Sequence, residues 1–326
     1  MAEKRCQSMS NDFLISTHDL VKEFPDGVRA VDGLTIKIKR GEVFGFLGPN
    51  GAGKTTSIKM MVGLLKPTSG KTIIDGETIE AGSEVVKEKI GVCPQEITLW
   101  DRLTVYENLR LIGDLYETPK EKLNRQIDSL LRELQLEDKR KTRATSLSGG
   151  MKRRLNLAMA LVHDPEIVVL DEPSPGLDPQ SRLVLWDYIN TIPKMGDKTV
   201  ILTTHFMEEA DRLCKRVAII DHGKLLVDDS PEKLKNNLGE GDVVELTLEE
   251  MEGSEKLAKD LEKMETVSKV HVVGNKIWLN SLNAVKHLPE IFHQVEIGNK
   301  NIVDVKLRKN TLEDVFISLT GRGLRE

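Results

Sequence analysis

Two short stretches carry side chains suited to work on a nucleoside triphosphate. Gly48-Pro-Asn-Gly-Ala-Gly-Lys-Thr-Thr56 fits the pattern G-x-x-x-x-G-K-[ST], with Gly48, Gly53, Lys54 and Thr55 on the required positions. Glycine lets backbone N–H groups approach phosphate oxygens that a Cβ would hold away. Asn50, Gly51, Gly53 and the amides through Thr56 are therefore read as a phosphate cradle. Lys54 is expected to reach the β- and γ-phosphates, and the Thr55 hydroxyl to hold Mg²⁺. The second stretch, Ile167-Val-Val-Leu-Asp-Glu172, ends an apolar run with two carboxylates. Beside a phosphate loop, Asp171 is read as a metal-binding acid, direct or through waters, and Glu172 as general base on the attacking water. Taken alone, the same residues would be an acidic turn after a buried strand.

Such groups need rigid elements to hold them. Val43-Phe-Gly-Phe-Leu47 is a short apolar run suited to a buried strand, and Ile58, Met61, Val62 and Leu65 recur at helical spacing. Strand, glycine loop and helix in that order aim the positive helix N-terminus at phosphate oxygens. Ile167–Leu170 and Thr199–Leu202 are unbroken apolar, β-branched runs, as in parallel strands covered on both faces. Leu34-Thr-Ile-Lys-Ile-Lys39 alternates instead, and with Phe13–Ser16 and Lys71–Gly76 it predicts an antiparallel flank. The expected fold class is α/β, a P-loop NTPase core with an antiparallel β flank.

Helical signals dominate from Val105 to Val162. Thr118-Pro-Lys-Glu121 predicts an N-cap, a proline at N1 and an acid at N3, and Leu123, Ile127, Leu130, Leu131 and Leu134 form one apolar stripe. This block, about 96–165, is either a projecting helical subdomain or a further helical layer of the same domain. The polar, turn-rich stretch Lys235–Gly241 marks a boundary. It divides a nucleotide-binding domain (13–235) from an accessory domain (241–326), after a flexible tail (1–12). The accessory domain reads βαββαβ plus a final helix, a small α+β unit of ferredoxin-like order.

Composition narrows the function class. The chain has 326 residues, 39% hydrophobic and 30% charged, which is ordinary for globular domains. Lys+Arg at 47 against Asp+Glu at 52 gives a net charge of −5, so no nucleic-acid partner is expected on electrostatic grounds. Charged residues interrupt every apolar stretch before the roughly 20 residues that a spanning helix needs. The first residues lack an apolar signal region. Cys6, Cys93 and Cys214 are odd in number and widely spaced, as for reduced thiols in a cytoplasmic protein.

Leu147-Ser-Gly-Gly-Met-Lys-Arg-Arg154 begins another helix, with Ser148 as a natural N-cap. Here the chain resembles the nucleotide-binding subunits of ATP-binding cassette transporters, whose signature is L-S-G-G-Q. Met151 replaces the usual glutamine, and Ser148, Gly149 and Gly150 are in place to face a phosphate. The resemblance covers about residues 13 to 225 and implies roles for further positions. Phe24 would stack on adenine, or else pack on the core as a loop phenylalanine. Gln95, in Val92-Cys-Pro-Gln95, would approach Mg²⁺ and the attacking water and sense a membrane partner. Asp178, in Pro175-Gly-Leu-Asp178, would face a second subunit, and His205 would contact the γ-phosphate.

In this family each ATP is closed between the phosphate loop of one subunit and the signature of another. The sequence has one of each, so the resemblance implies a dimer of two copies around two ATP. Thr311-Leu-Glu-Asp-Val-Phe-Ile-Ser-Leu-Thr-Gly321 also resembles the tail of type-2 exporter ATPases, the drug-resistance, sodium-efflux and polysaccharide group. The implied protein hydrolyses ATP on the inner face of the cell membrane and powers export through a separate integral membrane permease. A helix of that permease would dock near Leu99, Trp100 and Tyr106, unless these belong to the internal core. The alternative, a cassette ATPase of DNA repair or translation, predicts a basic stripe, a coiled-coil insertion or two cassettes. A G-protein reading fails because Asn275-Lys-Ile-Trp278 and Asn299-Lys-Asn-Ile302 lack the aspartate of N-K-x-D.

Overall fold

A computed structural model describes residues 12–79, 83, 88–238, 242–250, 252–281 and 283–321. The expected tail up to residue 11, Cys6 and the boundary residue Gly241 lie outside the described residues. The chain divides into two compact units, one through Asp228 and one from Asp229, so the division falls ahead of the turn-rich stretch 235–241.

In the first unit the described strands are β1 (Phe13–Glu23), β2 (Arg29–Leu34), β3 (Lys37–Lys39), β4 (Val43–Leu47), β5 (Ser69–Ile74), β6 (Glu77–Ile79), β7 (Ile90–Cys93), β8 (Ile167–Asp171), β9 (Thr199–Thr204), β10 (Arg216–Asp221) and β11 (Lys224–Asp229). The central sheet has the order β11-β10-β4-β9-β8-β7. Its pairs from β10 through β7 are parallel. The apolar runs explain this placement, since β4 and β9 are buried along their whole length and β8 up to its last residue. The flank has the order β2-β1-β5-β6, with β3 also on β1, and all of its pairs are antiparallel.

The alternating run from Leu34 to Lys39 is interrupted where a single strand was expected. Buried Thr17 inserts its hydroxyl between the two halves, donating to Leu34 O at 3.0 Å and accepting from the Ile36 amide at 2.9 Å. The backbone groups that would continue one ladder are thus satisfied by a side chain, and β2 and β3 form separately.

Helices Val105–Leu115, Lys120–Glu133 and Gly149–Leu161 fill the helical stretch. Thr104 and Glu107 cap the first reciprocally. The second starts one residue later than the sequence implies, because Pro119 (φ −53°, ψ 131°) is extended and takes the cap position. Thr118 instead gives its amide to Gly113 O at 2.9 Å, closing the end of the preceding helix. The predicted stripe is buried throughout, with Leu123, Ile127, Leu131 and Leu134 at 0% exposure.

The second unit contains β12 (Asp242–Leu248), β13 (Val267–Val273), β14 (Lys276–Ser281) and β15 (Ile302–Lys309) in the order β13-β14-β12-β15, all antiparallel. With helices Ser254–Leu261 and Ala284–Ile297 as crossovers, this is the ferredoxin-like order. Val244, Leu246, Leu261, Ile277 and Ile291 lie in its core.

Candidate functional site

The phosphate loop joins β4 to the helix Lys54–Met61. Gly53 sits at φ +98°, and a Cβ there would lie 2.2 Å from Ala30 O, so only glycine fits. A cavity of about 450 Å³ opens over the loop, lined by Asn50, Gly51, Gly53, Lys54, Thr55 and Thr56 together with Gln95 and Glu172. Residues of the loop and of the first turn of the helix thus share a cavity with Ala30, Gln95 and Glu172 from other parts of the chain.

Lys54 is 5% exposed, and its ammonium donates to Gly48 O at 2.8 Å and Pro49 O at 3.0 Å. Burial pulls the ammonium below the ordinary lysine range, and the Glu172 carboxylate opposes that shift. Glu172 Oε1 lies 3.6 Å from Lys54 Nζ, and Oε2 lies 3.1 Å from His205 Nδ1. A carboxylate at that distance favours the proton on Nδ1, leaving Nε2 for another partner. Glu172 has φ 45°, a left-handed conformation in a non-glycine residue. Its amide is held by Thr203, with Oγ1 at 2.9 Å and the carbonyl at 3.2 Å.

The adjacent Asp171 receives Thr55 Oγ1 at 3.0 Å and Thr203 Oγ1 at 2.5 Å. Thr55 and Asp171 therefore present a neutral and an anionic hard oxygen side by side. Mg²⁺ is usually held by one or two carboxylates, with waters and substrate phosphates completing the shell. This donor pair fits such an ion, which would neutralise phosphate charge when bound.

The remaining predicted residues lie elsewhere in the first unit. Ser148 accepts from the Met151 amide at 3.3 Å and caps Gly149–Leu161. A Cβ on Gly150 would stand 2.4 Å from Ser181 Oγ, so the signature glycine also makes room for the neighbouring helix. Asp178 caps that helix, Pro179–Ile189, through the Ser181 amide at 2.9 Å. Gly150 and Asp178 thus both meet Ser181, and none of Ser148, Gly150 and Asp178 is among the residues lining the phosphate cavity. Phe24 is half-buried, with Lys22 Nζ 5.4 Å over its ring, and stands outside the hydrophobic core cluster. Trp100 is 41% exposed and lines a second cleft with Tyr116, Met159 and His163. Tyr106 is engaged internally, donating to Asn124 at 3.4 Å beneath the Arg140 guanidinium.

Two groups of residues escape a reading of motifs. Arg153 is 3% exposed and donates to the carbonyls of both the Gln95 loop and the Glu172 turn. Glu209, 0% exposed, accepts from Ser174 and from Trp186 Nε1, the latter at 2.9 Å. It ties the segment after Glu172 to the helix Met207–Leu213 that follows His205.

Burial holds the Glu209 carboxyl above the ordinary carboxylate range, against the opposing hydrogen bonds from Ser174, Thr204 and Trp186. The folded state then keeps a proton that the unfolded chain releases. This contribution to stability is complete below the ordinary carboxylate range and is lost as pH rises toward the folded value. Glu209→Gln is expected to remove the dependence. Its stability relative to the parent should rise with pH above the ordinary carboxylate range, by up to about 1.4 kcal/mol per unit. Urea midpoints of both proteins at increasing pH above that range check this, and a constant difference would refute it.

The "ABC transporter" family model matches residues 31–175. A Nod factor export ATP-binding protein I of Ralstonia nicotianae is 35% identical, over 96% of this chain and 95% of its own length. The linearmycin resistance ATP-binding protein LnrL of Bacillus subtilis is also 35% identical, over 91% of this chain and 95% of its own. Among solved structures, an ATP-binding cassette in a dimeric post-hydrolysis state with ADP and Pi aligns with TM-score 0.60 and 25% identity. That alignment spans 66% of this chain and 98% of the other.

Proposed function

This chain belongs to the ABC transporter family and is an ATP-binding, ATP-hydrolysing subunit of an exporter, and from that premise we propose that two copies close around two ATP to drive a separate integral membrane permease. The observation that carries the reading is the unbroken contact path from Thr55 to Asp171 and from Lys54 through Glu172 to His205, beside one cavity. Lys54 and the loop amides hold the phosphates. Thr55 and Asp171 hold Mg²⁺, and Gln95 reaches the same region from the cavity wall. Glu172 takes the proton of the attacking water, while His205 keeps its carboxylate aimed and offers Nε2 to the γ-phosphate.

The dimer is supported by the dimeric state of the aligned cassette, and by a cavity whose lining includes neither Ser148 nor Gly150. In this reading Ser148 to Gly150 close the site of the opposite copy, with Asp178 beside them, and Phe24 stacks on adenine. Bound ATP favours the closed pair and its hydrolysis releases it. The export and resistance named for the two relatives support export here, with the chain peripheral on the cytoplasmic face of the membrane. No helix among the described residues is long and apolar enough to cross a membrane, so a pathway through the bilayer falls to the permease. Exposed Trp100 and its cleft offer that permease a docking surface. The accessory domain follows the cassette as a separate unit.

Light scattering of the purified chain is expected to give a monomer mass without nucleotide and a dimer mass with ATP under non-hydrolysing conditions. Affinity isolation from detergent-solubilised membranes is expected to recover a multispanning protein. A strict monomer with ATP would remove the dimer. Salt-sensitive nucleic-acid binding, with no membrane protein recovered, would favour the repair or translation reading.

A further inference from the structure

Arg153 sits on the helix headed by Ser148, yet its side chain serves two other segments. A guanidinium has five N–H donors fixed in one plane. Here Nε donates to Pro173 O at 2.8 Å, Nη1 to Pro94 O at 2.7 Å and Gln95 O at 3.0 Å, and Nη2 to Asp171 O at 3.1 Å and Glu172 O at 2.6 Å. Every donor is used, and every acceptor is a main-chain carbonyl. The acceptors belong to the loop carrying Gln95 and to the turn carrying Asp171 and Glu172.

The turn needs that support. Glu172 is held at φ 45°, a conformation that persists in a side-chain-bearing residue only where its surroundings over-determine it. Thr203 fixes its amide and Arg153 its carbonyl, so the strained residue is gripped on both sides. Releasing the carbonyl would let φ return to the ordinary region and swing the carboxylate away from Lys54 and His205.

We propose that Arg153 is a positioning residue for hydrolysis: it locks the backbone of Gln95 and of Glu172 to one plane and ties both to the signature helix. The inference rests on the proposed role of Glu172 as general base. Lysine cannot substitute, because three donors on one tetrahedral nitrogen cannot meet five carbonyls spread around a plane.

The test compares Arg153→Lys with the parent chain, and again in a Glu172→Gln background. In the parent background kcat is expected to fall by about 10²-fold, the scale of a displacement of roughly 1 Å. KM and the affinity for a fluorescent ATP analogue should change by less than about threefold, because the phosphate loop is untouched. In the Glu172→Gln background the same change should cost clearly less than in the parent, because one of the two groups it aims is already disabled. An equal fractional loss in both backgrounds, or no loss of kcat in the parent, overturns the proposal. A general structural defect would lower the active fraction alike in both. If the lysine variant does not fold, Arg153→Gln is measured in its place, with the same outcomes. Should Glu172→Gln alone leave turnover intact, the general-base reading fails first, which separates its failure from that of Arg153.

Discussion

Glu172→Gln is expected to lower ATP turnover by about 10²- to 10⁴-fold while leaving nucleotide binding in place. Glutamine keeps the shape and one carbonyl oxygen but cannot accept the proton of an attacking water. The loop that grips the phosphates is unaltered, and Lys54, 3.6 Å from the carboxylate, loses its competing anion. Affinity should therefore hold or rise as turnover falls. Phosphate release and nucleotide binding on the same preparation check this. Turnover within about twofold of the parent would remove the general-base role, since such a role contributes at least about 10²-fold.

Lys54→Ala is expected to show the opposite division between binding and chemistry. The ammonium is buried, prearranged by two loop carbonyls and directed into the cavity, so it meets phosphate at little cost in reorganisation. Its loss should weaken nucleotide binding and lower turnover by about 10²- to 10³-fold, the scale for one preorganised charge-stabilising contact. Truncation also leaves the buried Glu172 carboxylate without its cation, so melting temperature is followed alongside the titration. A variant that binds ATP as the parent does would refute this role.

The residues that sequence made legible are those whose chemistry is local. Lys54 and Thr55 adjoin the loop they serve, and Asp171 and Glu172 adjoin the apolar strand that delivers them, so type and spacing suffice. Strands β4, β8 and β9 of the central sheet and β1, β3 and β5 of the flank were legible for a related reason, since unbroken and alternating apolar runs report how many faces of a strand are covered. Where a side chain overrides the backbone pattern, this reasoning stops. The Thr17 hydroxyl splits an alternating run from 17 residues away, and the Thr118 cap is lost because Pro119, extended, takes the cap position itself. Arg153 and Glu209 are harder still. Their partners are carbonyls and side chains that meet only after folding, and one more arginine in a helix carries no spacing signal.

The left-handed backbone at Glu172 bears on how this sequence can be altered. Glycine takes that conformation freely and asparagine with little resistance, whereas glutamate bears a penalty of order 1–3 kcal/mol. Selection for stability alone would drive glutamate out of this position, and only selection for turnover keeps it there. Libraries ranked by melting temperature would then tend to lose activity at this one turn. Ranking by phosphate release as well as by melting would keep the two pressures apart.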